Sequence, residues 1–180
     1  MRPRITRGSI ISGPALFNYV SQTNAPLRRA QVANDAVVLG GPGVGKTGLA
    51  TSFLVRAIHQ GCSGRYVLFA ELITQLYHSV ADHSQARLLK KYVNCDVLHI
   101  DELGYIETEP VQVGLFFTLM QRRHKKKPTL ITSNLGFREW GSFLKNDHLT
   151  AALMDRLTEC SHVFNLRDCV SLRPKLCAES

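Results

Sequence analysis

The sequence lacks the features of membrane, secreted and zinc-binding proteins. No apolar run in its 180 residues approaches the ~20 residues of a membrane-spanning helix. Gly13 and Pro14 interrupt the apolar stretch near the amino terminus, which argues against a signal peptide. The five cysteines include no pair at the two-residue spacing of a zinc site, and their number is odd. Reduced thiols in a cytoplasmic protein with no membrane partner are the simplest interpretation.

Acidic residues are also scarce, with 14 Asp and Glu against 22 Lys and Arg, so the net charge is +8. This surplus favours an anionic partner, and DNA is the first candidate. The basic residues cluster in a predicted helix and a charged turn, namely Arg87, Lys90 and Lys91, and Arg122, Arg123, Lys125, Lys126 and Lys127. No aromatic residues alternate with them, so contacts would be made to phosphates, independently of base sequence. A solvated surface is the alternative explanation of both clusters.

Apolar segments typical of strands alternate with segments of helical periodicity along the chain. This alternation predicts an α/β fold with a five-stranded parallel sheet covered on both faces. We expect a short basic segment at 1–34 and one domain over 35–180. The predicted strands are Ala36–Leu39, Tyr66–Ala70, Asp96–Ile100, Thr129–Thr132 and His162–Leu166.

A phosphate-binding loop follows the first predicted strand. Residues 40–47 read Gly-Gly-Pro-Gly-Val-Gly-Lys-Thr, which has the spacing of Gly, four residues, then Gly-Lys-Thr. Glycines let backbone N–H groups surround phosphate oxygens, Lys46 reaches the terminal phosphates, and the Thr47 hydroxyl can bind Mg2+. A glycine-rich turn without a chemical role is the alternative. The predicted nucleotide-binding residues are Gly40, Gly41, Pro42, Gly43, Val44, Gly45, Lys46, Thr47 and Gly48.

Polar side chains follow two later predicted strands. Asp101 and Glu102 come directly after an apolar strand, and Asn134 follows the next one. Because parallel strands end at the same edge of a sheet, Asp101 is predicted to hold Mg2+, Glu102 to polarise the attacking water and Asn134 to lie near the γ-phosphate. The alternatives are a surface acidic turn and an asparagine that only shapes its turn. His99 is interpreted as a hydrogen-bonded core residue.

Four motifs together resemble one family. They are Gly-Gly-Pro-Gly-Val-Gly-Lys-Thr-Gly-Leu-Ala at 40–50, Ile-Asp-Glu-Leu-Gly-Tyr at 100–105, Thr-Ser-Asn-Leu-Gly-Phe-Arg-Glu-Trp-Gly at 132–141 and Ala-Ala-Leu-Met-Asp-Arg-Leu at 151–157. The sequence from about 33 to 172 closely resembles the IstB-like ATP-binding proteins, helper ATPases of insertion-sequence transposition. These are related to DnaC-type helicase loaders within the AAA+ class.

The resemblance implies a three-layer P-loop NTPase of the AAA+ type, with little or no C-terminal helical lid. It implies that Arg156 is an arginine finger acting on ATP bound to a neighbouring subunit, so that the active form is a homo-oligomer. Without the resemblance, Asp155 and Arg156 would be interpreted as an exposed polar pair. It also implies Walker and sensor roles for Lys46, Thr47, Asp101, Glu102 and Asn134.

The sequence departs from the family in three places. Family members usually carry a further region before the ATPase core, and here 39 residues precede Gly40. Family members have two arginines near the end of this region, and the first of them is a candidate second sensor. In this sequence Ser171 stands in place of that first arginine, and Arg173 lies two residues later. His99 stands where an aliphatic residue is expected.

These observations predict a Mg2+-dependent ATPase, stimulated by DNA and by oligomerisation, that engages a transposase. The alternatives are a helicase loader that engages a replicative helicase, and a nucleotide-binding DNA adaptor with little turnover. A GTPase is disfavoured because the sequence has no Asn-Lys-x-Asp guanine-reading motif. A small-molecule kinase would not need the Asp-Glu pair followed by Asn134.

Overall fold

A computed structural model describes residues 10–12, 35–159 and 161–172, which form an α/β fold. Within these ranges no helix is both long and apolar enough to cross a membrane. The strands are β1 (Ile10–Ser12), β2 (Asp35–Leu39), β3 (Gly64–Leu68), β4 (Val97–Leu103), β5 (Thr129–Ser133) and β6 (Ser161–Asn165). The helices are α1 (Lys46–His59), α2 (Phe69–Ala81), α3 (Gln85–Asn94), α4 (Pro110–Arg123), α5 (Phe137–Leu144) and α6 (Asp147–Glu159).

The strands form one parallel sheet in the order β1-β6-β2-β5-β4-β3. The five predicted parallel strands are all present, and Ile10–Ser12 adds a short sixth strand beside β6. This strand has only three residues and lies in the predicted basic segment 1–34, where so short a stretch gives no periodic signal. The rest of that segment lies outside the described residues.

The sheet separates two hydrophobic layers, as a parallel sheet with crossover helices requires. Alternate residues of β2 show the division, since Val38 packs with α1 whereas Val37 and Leu39 face the layer built with α2 to α6. The ring of Phe69 packs edge-on against Phe116 in the larger layer, with the centroids 5.2 Å apart. Both faces are therefore covered, as the sequence predicts.

The structure corrects the end of the second predicted strand. The second predicted strand ends at Leu68, because Phe69 and Ala70 already belong to α2. A continuous apolar run does not reveal where a strand changes into a helix. Ser84 occupies the N-cap of α3, but its side chain does not cap the helix. Its hydroxyl donates instead to Asp82, at 2.6 Å.

Arg123 is a buried structural residue and not a DNA contact, which corrects the sequence prediction. Only 1% of its surface is exposed. Its guanidinium donates to the carbonyls of Tyr92 (2.7 Å), Cys95 (2.9 Å) and Pro128 (2.6 Å), and to the Thr129 hydroxyl (3.1 Å). These bonds join the ends of α3 and α4 to the beginnings of β4 and β5, so the side chain cannot reach a phosphate.

Asp35, at the start of β2, gives the fold a pH-dependent stability. Burial raises the pKa of Asp35 to about 6, although the Thr129 N–H donates to Oδ1 at 2.7 Å and Arg123 is nearby. In the unfolded chain the carboxyl has its ordinary pKa of 3.8. Between these two values the unfolded state loses the proton first, so ionisation lowers the stability of the folded state as pH rises.

We therefore expect Asp35→Asn to become more stable relative to the wild type as pH rises from 4 to 7. The difference in free energy of unfolding should grow by roughly 2–3 kcal/mol over this range and be constant above it. Urea denaturation at each pH measures it. Asp82→Asn is the control that should not change over this range, because the hydrogen bonds from Ser84 lower the pKa of Asp82 from 3.8 and its pH dependence therefore lies at lower pH. A difference for Asp35→Asn that does not change with pH would contradict this account.

Candidate nucleotide-binding site

The loop between β2 and α1 has the backbone form of a phosphate cradle. Gly43 and Gly45 have φ values of 79° and 90°, in the left-handed region that favours glycine, and Gly45 is the N-cap of α1. Lys46 begins the helix, and its Nζ donates to the Gly41 carbonyl at 2.8 Å. The backbone N–H groups and the positive end of the α1 dipole are thus directed to one place.

Thr47 and Asp101 meet at the mouth of this loop. The Thr47 hydroxyl donates to Asp101 Oδ1 at 3.1 Å, and the Thr132 hydroxyl donates to the same oxygen. Oδ2 accepts a hydrogen bond of 2.9 Å from the hydroxyl of Tyr66. Burial opposes the ionisation of Asp101, but the proximity of His99 and the hydroxyls of Thr132 and Tyr66 outweigh it and hold the pKa of that carboxyl well below its usual range.

The Thr47 hydroxyl and the Asp101 carboxylate fit a Mg2+ site. Both supply the hard oxygen ligands that Mg2+ prefers, and a site with one carboxylate is typical where nucleotide phosphates complete the coordination. The carboxylate is 1% exposed, and its lowered pKa keeps it ionised at neutral pH. The hydroxyl of Tyr66 stays protonated, because burial and the Asp101 hydrogen bond raise its pKa to about 12.

Glu102 stands in a strained backbone conformation beside this site. Its φ is 61°, which is uncommon for a residue with a side chain, and the pairing of β4 with β5 shifts in register between Ile100 and Leu103. The Glu102 N–H donates to the Thr132 hydroxyl at 3.0 Å, whereas its side chain is exposed. The Asp101 side chain is buried whereas that of Glu102 is exposed, and strained backbone of this kind is common at functional sites.

A cavity of about 250 Å³ lies over the phosphate loop. Six of the nine predicted nucleotide-binding residues line it, together with Glu102; Gly40, Gly41 and Val44 do not. Sequence reasoning missed three further lining residues. Tyr105 lies just beyond the acidic pair, Thr132 precedes the end of β5, and the Leu172 N–H donates to the Gly43 carbonyl at 2.9 Å. The six are Pro42, Gly43, Gly45, Lys46, Thr47 and Gly48.

Asn134 lies beside the loop that follows β4. Its Oδ1 is buried, and no donor within the described residues bonds to it. A Cβ placed on Gly104 would be 3.2 Å from that oxygen, so the two turns are in close contact. Asn134 does not line the cavity, and its sensor role stays a prediction.

Arg156 is held by its own chain. Its guanidinium lies over the ring of Phe117, 4.7 Å from the centroid, and Nη1 donates to the Ala152 carbonyl at 2.9 Å. It does not line the cavity of the same chain. Its proposed action on a neighbouring subunit stays a prediction, and Arg173 lies outside the described residues.

The predicted DNA-contact residues differ in accessibility. Lys127 is half-buried, and its Nζ donates to the Asn94 carbonyl and lies 3.8 Å from Asp96. Lys125 is exposed but pairs with Glu159. With Arg123 buried, the predicted residues with exposed side chains are Arg87, Lys90, Lys91, Arg122, Lys125 and Lys126.

Several known structures share this fold. The structure of DnaI matches with a TM-score of 0.67 at 23% identity, over 84% of this chain and 81% of that one. The DnaC helicase loader gives 0.67 at 22% identity, over 86% and 87%. Domain III of the Thermotoga maritima replication initiation protein DnaA gives 0.68 at 20% identity, over 89% and 65%. These similarities concern the fold.

The sequence comparisons assign the chain to one protein family. Residues 20–178 match the model of the IstB-like ATP binding proteins, and the chain belongs to that family. It is 35% identical over 160 residues to the "Insertion sequence IS5376 putative ATP-binding protein" of Geobacillus stearothermophilus, covering 84% of this chain and 64% of the relative. It is 32% identical over 154 residues to the corresponding IS21 protein of Pseudomonas aeruginosa, covering 86% and 58%. The chain thus spans about three fifths of the length of these relatives.

Proposed function

We propose that the protein is an ATPase that assists DNA transposition. One observation carries the ATPase assignment: the phosphate loop and Glu102 line one cavity, and Thr47 of that loop bonds to Asp101 behind it. A site that only held nucleotide would need the loop, but it would not need a second carboxylate beside the place of the terminal phosphate.

Each residue has a defined part in the proposed reaction. Lys46 and the loop N–H groups bind the β- and γ-phosphates, and Thr47 with Asp101 would hold Mg2+. When bound, the metal ion neutralises charge on the phosphate oxygens. Glu102 orients the attacking water and accepts its proton.

Two further residues would complete the site. Asn134 lies at the end of the neighbouring strand and would respond to the γ-phosphate. Arg156 would reach the ATP of an adjacent subunit in a homo-oligomer, after leaving the ring of Phe117 in its own chain. An arginine acting in this way is worth about 10³–10⁵ in rate where it has been measured.

Assembly on DNA and engagement of a transposase are the proposed biological role. The two relatives described above are named from insertion sequences, which supports this role. The net charge of +8 and the six exposed basic side chains support binding to DNA phosphates. Helicase loading is the second candidate, favoured by the likeness in fold to the DnaC helicase loader.

A pull-down separates the two candidate partners. The protein, loaded with ATP, is offered a transposase from the same insertion sequence and a replicative helicase under matched salt. Retention of the transposase supports the proposal. Retention of the helicase alone would overturn it in favour of the loader.

Phosphate release tests the ATPase. We expect the wild type to release phosphate in the presence of Mg2+ and ATP, faster with DNA than without, and Lys46→Ala to lose both nucleotide binding and release. Arg138→Ala is the control for loss of one positive charge, because Arg138 is exposed and is not among the predicted DNA-contact residues. Release by the wild type no faster than by Lys46→Ala, with and without DNA, would leave only the nucleotide-binding adaptor.

A further inference from the structure

Tyr66 contacts the proposed metal-binding carboxylate from the neighbouring strand. In the register of β3 and β4, Tyr66 pairs with His99 and Leu68 with Asp101. Side chains two residues apart on a strand face the same side, so Tyr66 shares a sheet face with His99 and Asp101. The Tyr66 hydroxyl crosses diagonally to Asp101 Oδ2, at 2.9 Å.

The two oxygens of the Asp101 carboxylate accept hydrogen bonds from different sides. Oδ1 accepts from Thr47 and Thr132, whereas Oδ2 accepts from Tyr66. Oδ1 is therefore the oxygen on the side of α1 and the phosphate loop. A carboxylate bonded at both oxygens cannot rotate about its terminal bond without breaking a charge-assisted hydrogen bond.

Packing alone does not account for Tyr66. The residue lies on β3, at the edge of the described sheet, and 46% of its surface is exposed. The fully buried ring of His99 meets the Tyr66 ring edge-on, with centroids 5.1 Å apart, which fixes the direction of the tyrosine. A phenylalanine would keep that ring contact, and only the tyrosine hydroxyl reaches Asp101.

We propose that Tyr66 is a positioning residue of the metal site, whose hydroxyl holds Asp101 Oδ2 so that Oδ1 faces Thr47 and the nucleotide phosphates. Tyr66 does not line the cavity, and it acts only through Asp101. The inference rests on the proposed function, because it assigns a metal ion to Thr47 and Asp101. Groups that orient a metal ligand from behind commonly change metal affinity by 10–100-fold when they are removed.

Tyr66→Phe tests this role through metal binding and not through turnover. Binding of a fluorescent N-methylanthraniloyl ATP is measured first in EDTA and then against rising Mg2+. We expect the affinity in EDTA to equal that of the wild type, and the Mg2+ concentration for half-maximal enhancement of binding to rise about tenfold. Mn2+ electron paramagnetic resonance of the protein–nucleotide complex should show a matching loss of bound Mn2+.

Two further variants make the result specific. Tyr77→Phe removes a hydroxyl from a half-exposed tyrosine on α2 and should leave the Mg2+ requirement unchanged. In Asp101→Asn the metal-binding oxygen is altered already, so adding Tyr66→Phe should change the Mg2+ requirement by less than twofold, against tenfold in the wild-type background.

The outcomes separate this inference from the proposed function. A wild-type protein that does not bind the nucleotide would contradict the proposed function itself. A wild type with Mg2+-enhanced binding and a Tyr66→Phe variant equal to Tyr77→Phe would overturn the positioning role alone. An equal loss of affinity in EDTA and in Mg2+ would also overturn it, since that pattern indicates a general structural effect.

Discussion

Replacing Arg123 with methionine is expected to lower the free energy of unfolding by about 3–5 kcal/mol. Methionine keeps much of the apolar side chain but none of the five donors. The carbonyls and the hydroxyl that bond to the guanidinium would then be left without it in a site that is 1% exposed to solvent. Because these groups belong to three helix or strand ends, no local adjustment restores all of the bonds.

Arg122→Met is the matched control for this prediction. Arg122 precedes Arg123 in α4, but its side chain is exposed, so its replacement should change the stability by less than about 0.5 kcal/mol. Urea denaturation of both variants and of the wild type measures the difference. Equal denaturation midpoints for the two variants would show that the buried bonds contribute nothing to stability.

The prediction that Arg123 contacts DNA was wrong, although the periodicity of α4 indicates that this residue lies at a core position. Among the six charged and polar residues of the turn at 122–127, nothing in composition distinguishes one arginine from another. However, Phe116, Leu119 and Met120 form the buried stripe of the helix, and Arg123 continues it at the next helical interval. A basic residue at a core position is paired or bonded inside the protein, and not offered to a partner.

The sequence predicted the parts of the site that are local. The phosphate loop and the acidic pair are each contiguous, and the rule that parallel strands end at one edge is enough to place them together. Tyr66 and Thr132 could not be found in this way, because their contact with Asp101 depends on the registers of β3 and β5 with β4. The contact of Leu172 with the loop likewise depends on the path of the chain after β6.

The short strand β1 shows the same limit for the fold. Its three residues pair with β6 over Val163 to Asn165, and that pairing supplies the regularity that the segment lacks by itself. The five longer strands were recognisable because each one contains a short apolar run between helical segments, although in the edge strand β3 only Val67 is buried. The alternation of strands and helices therefore predicted the α/β fold class and a sheet covered on both faces. The edge strand β1 could not be predicted in this way, because it is defined by its pairing with the distant strand β6.

Glu102→Gln is expected to slow phosphate release by about 10²–10⁴-fold and to change ATP affinity by less than about threefold. Glutamine has the same shape and can keep the side-chain position, but it cannot accept a proton from water. The backbone contact is also preserved, because the N–H of residue 102 donates to Thr132 in either case. Since Lys46 and the loop hold the phosphates, binding does not depend on the lost charge.

The strained backbone makes the choice of glutamine important. At a φ of 61°, a change to glycine would remove the conformational strain together with the carboxylate, and a change to alanine would remove the whole side chain, whereas glutamine alters the chemistry alone. Glu107→Gln is the control, because Glu107 is an exposed carboxylate that pairs with Lys145 at 3.1 Å. Single-turnover release and nucleotide titration of the three proteins give the two quantities. A Glu102→Gln variant as fast as Glu107→Gln would exclude Glu102 as the base, and the strained position would then need another explanation.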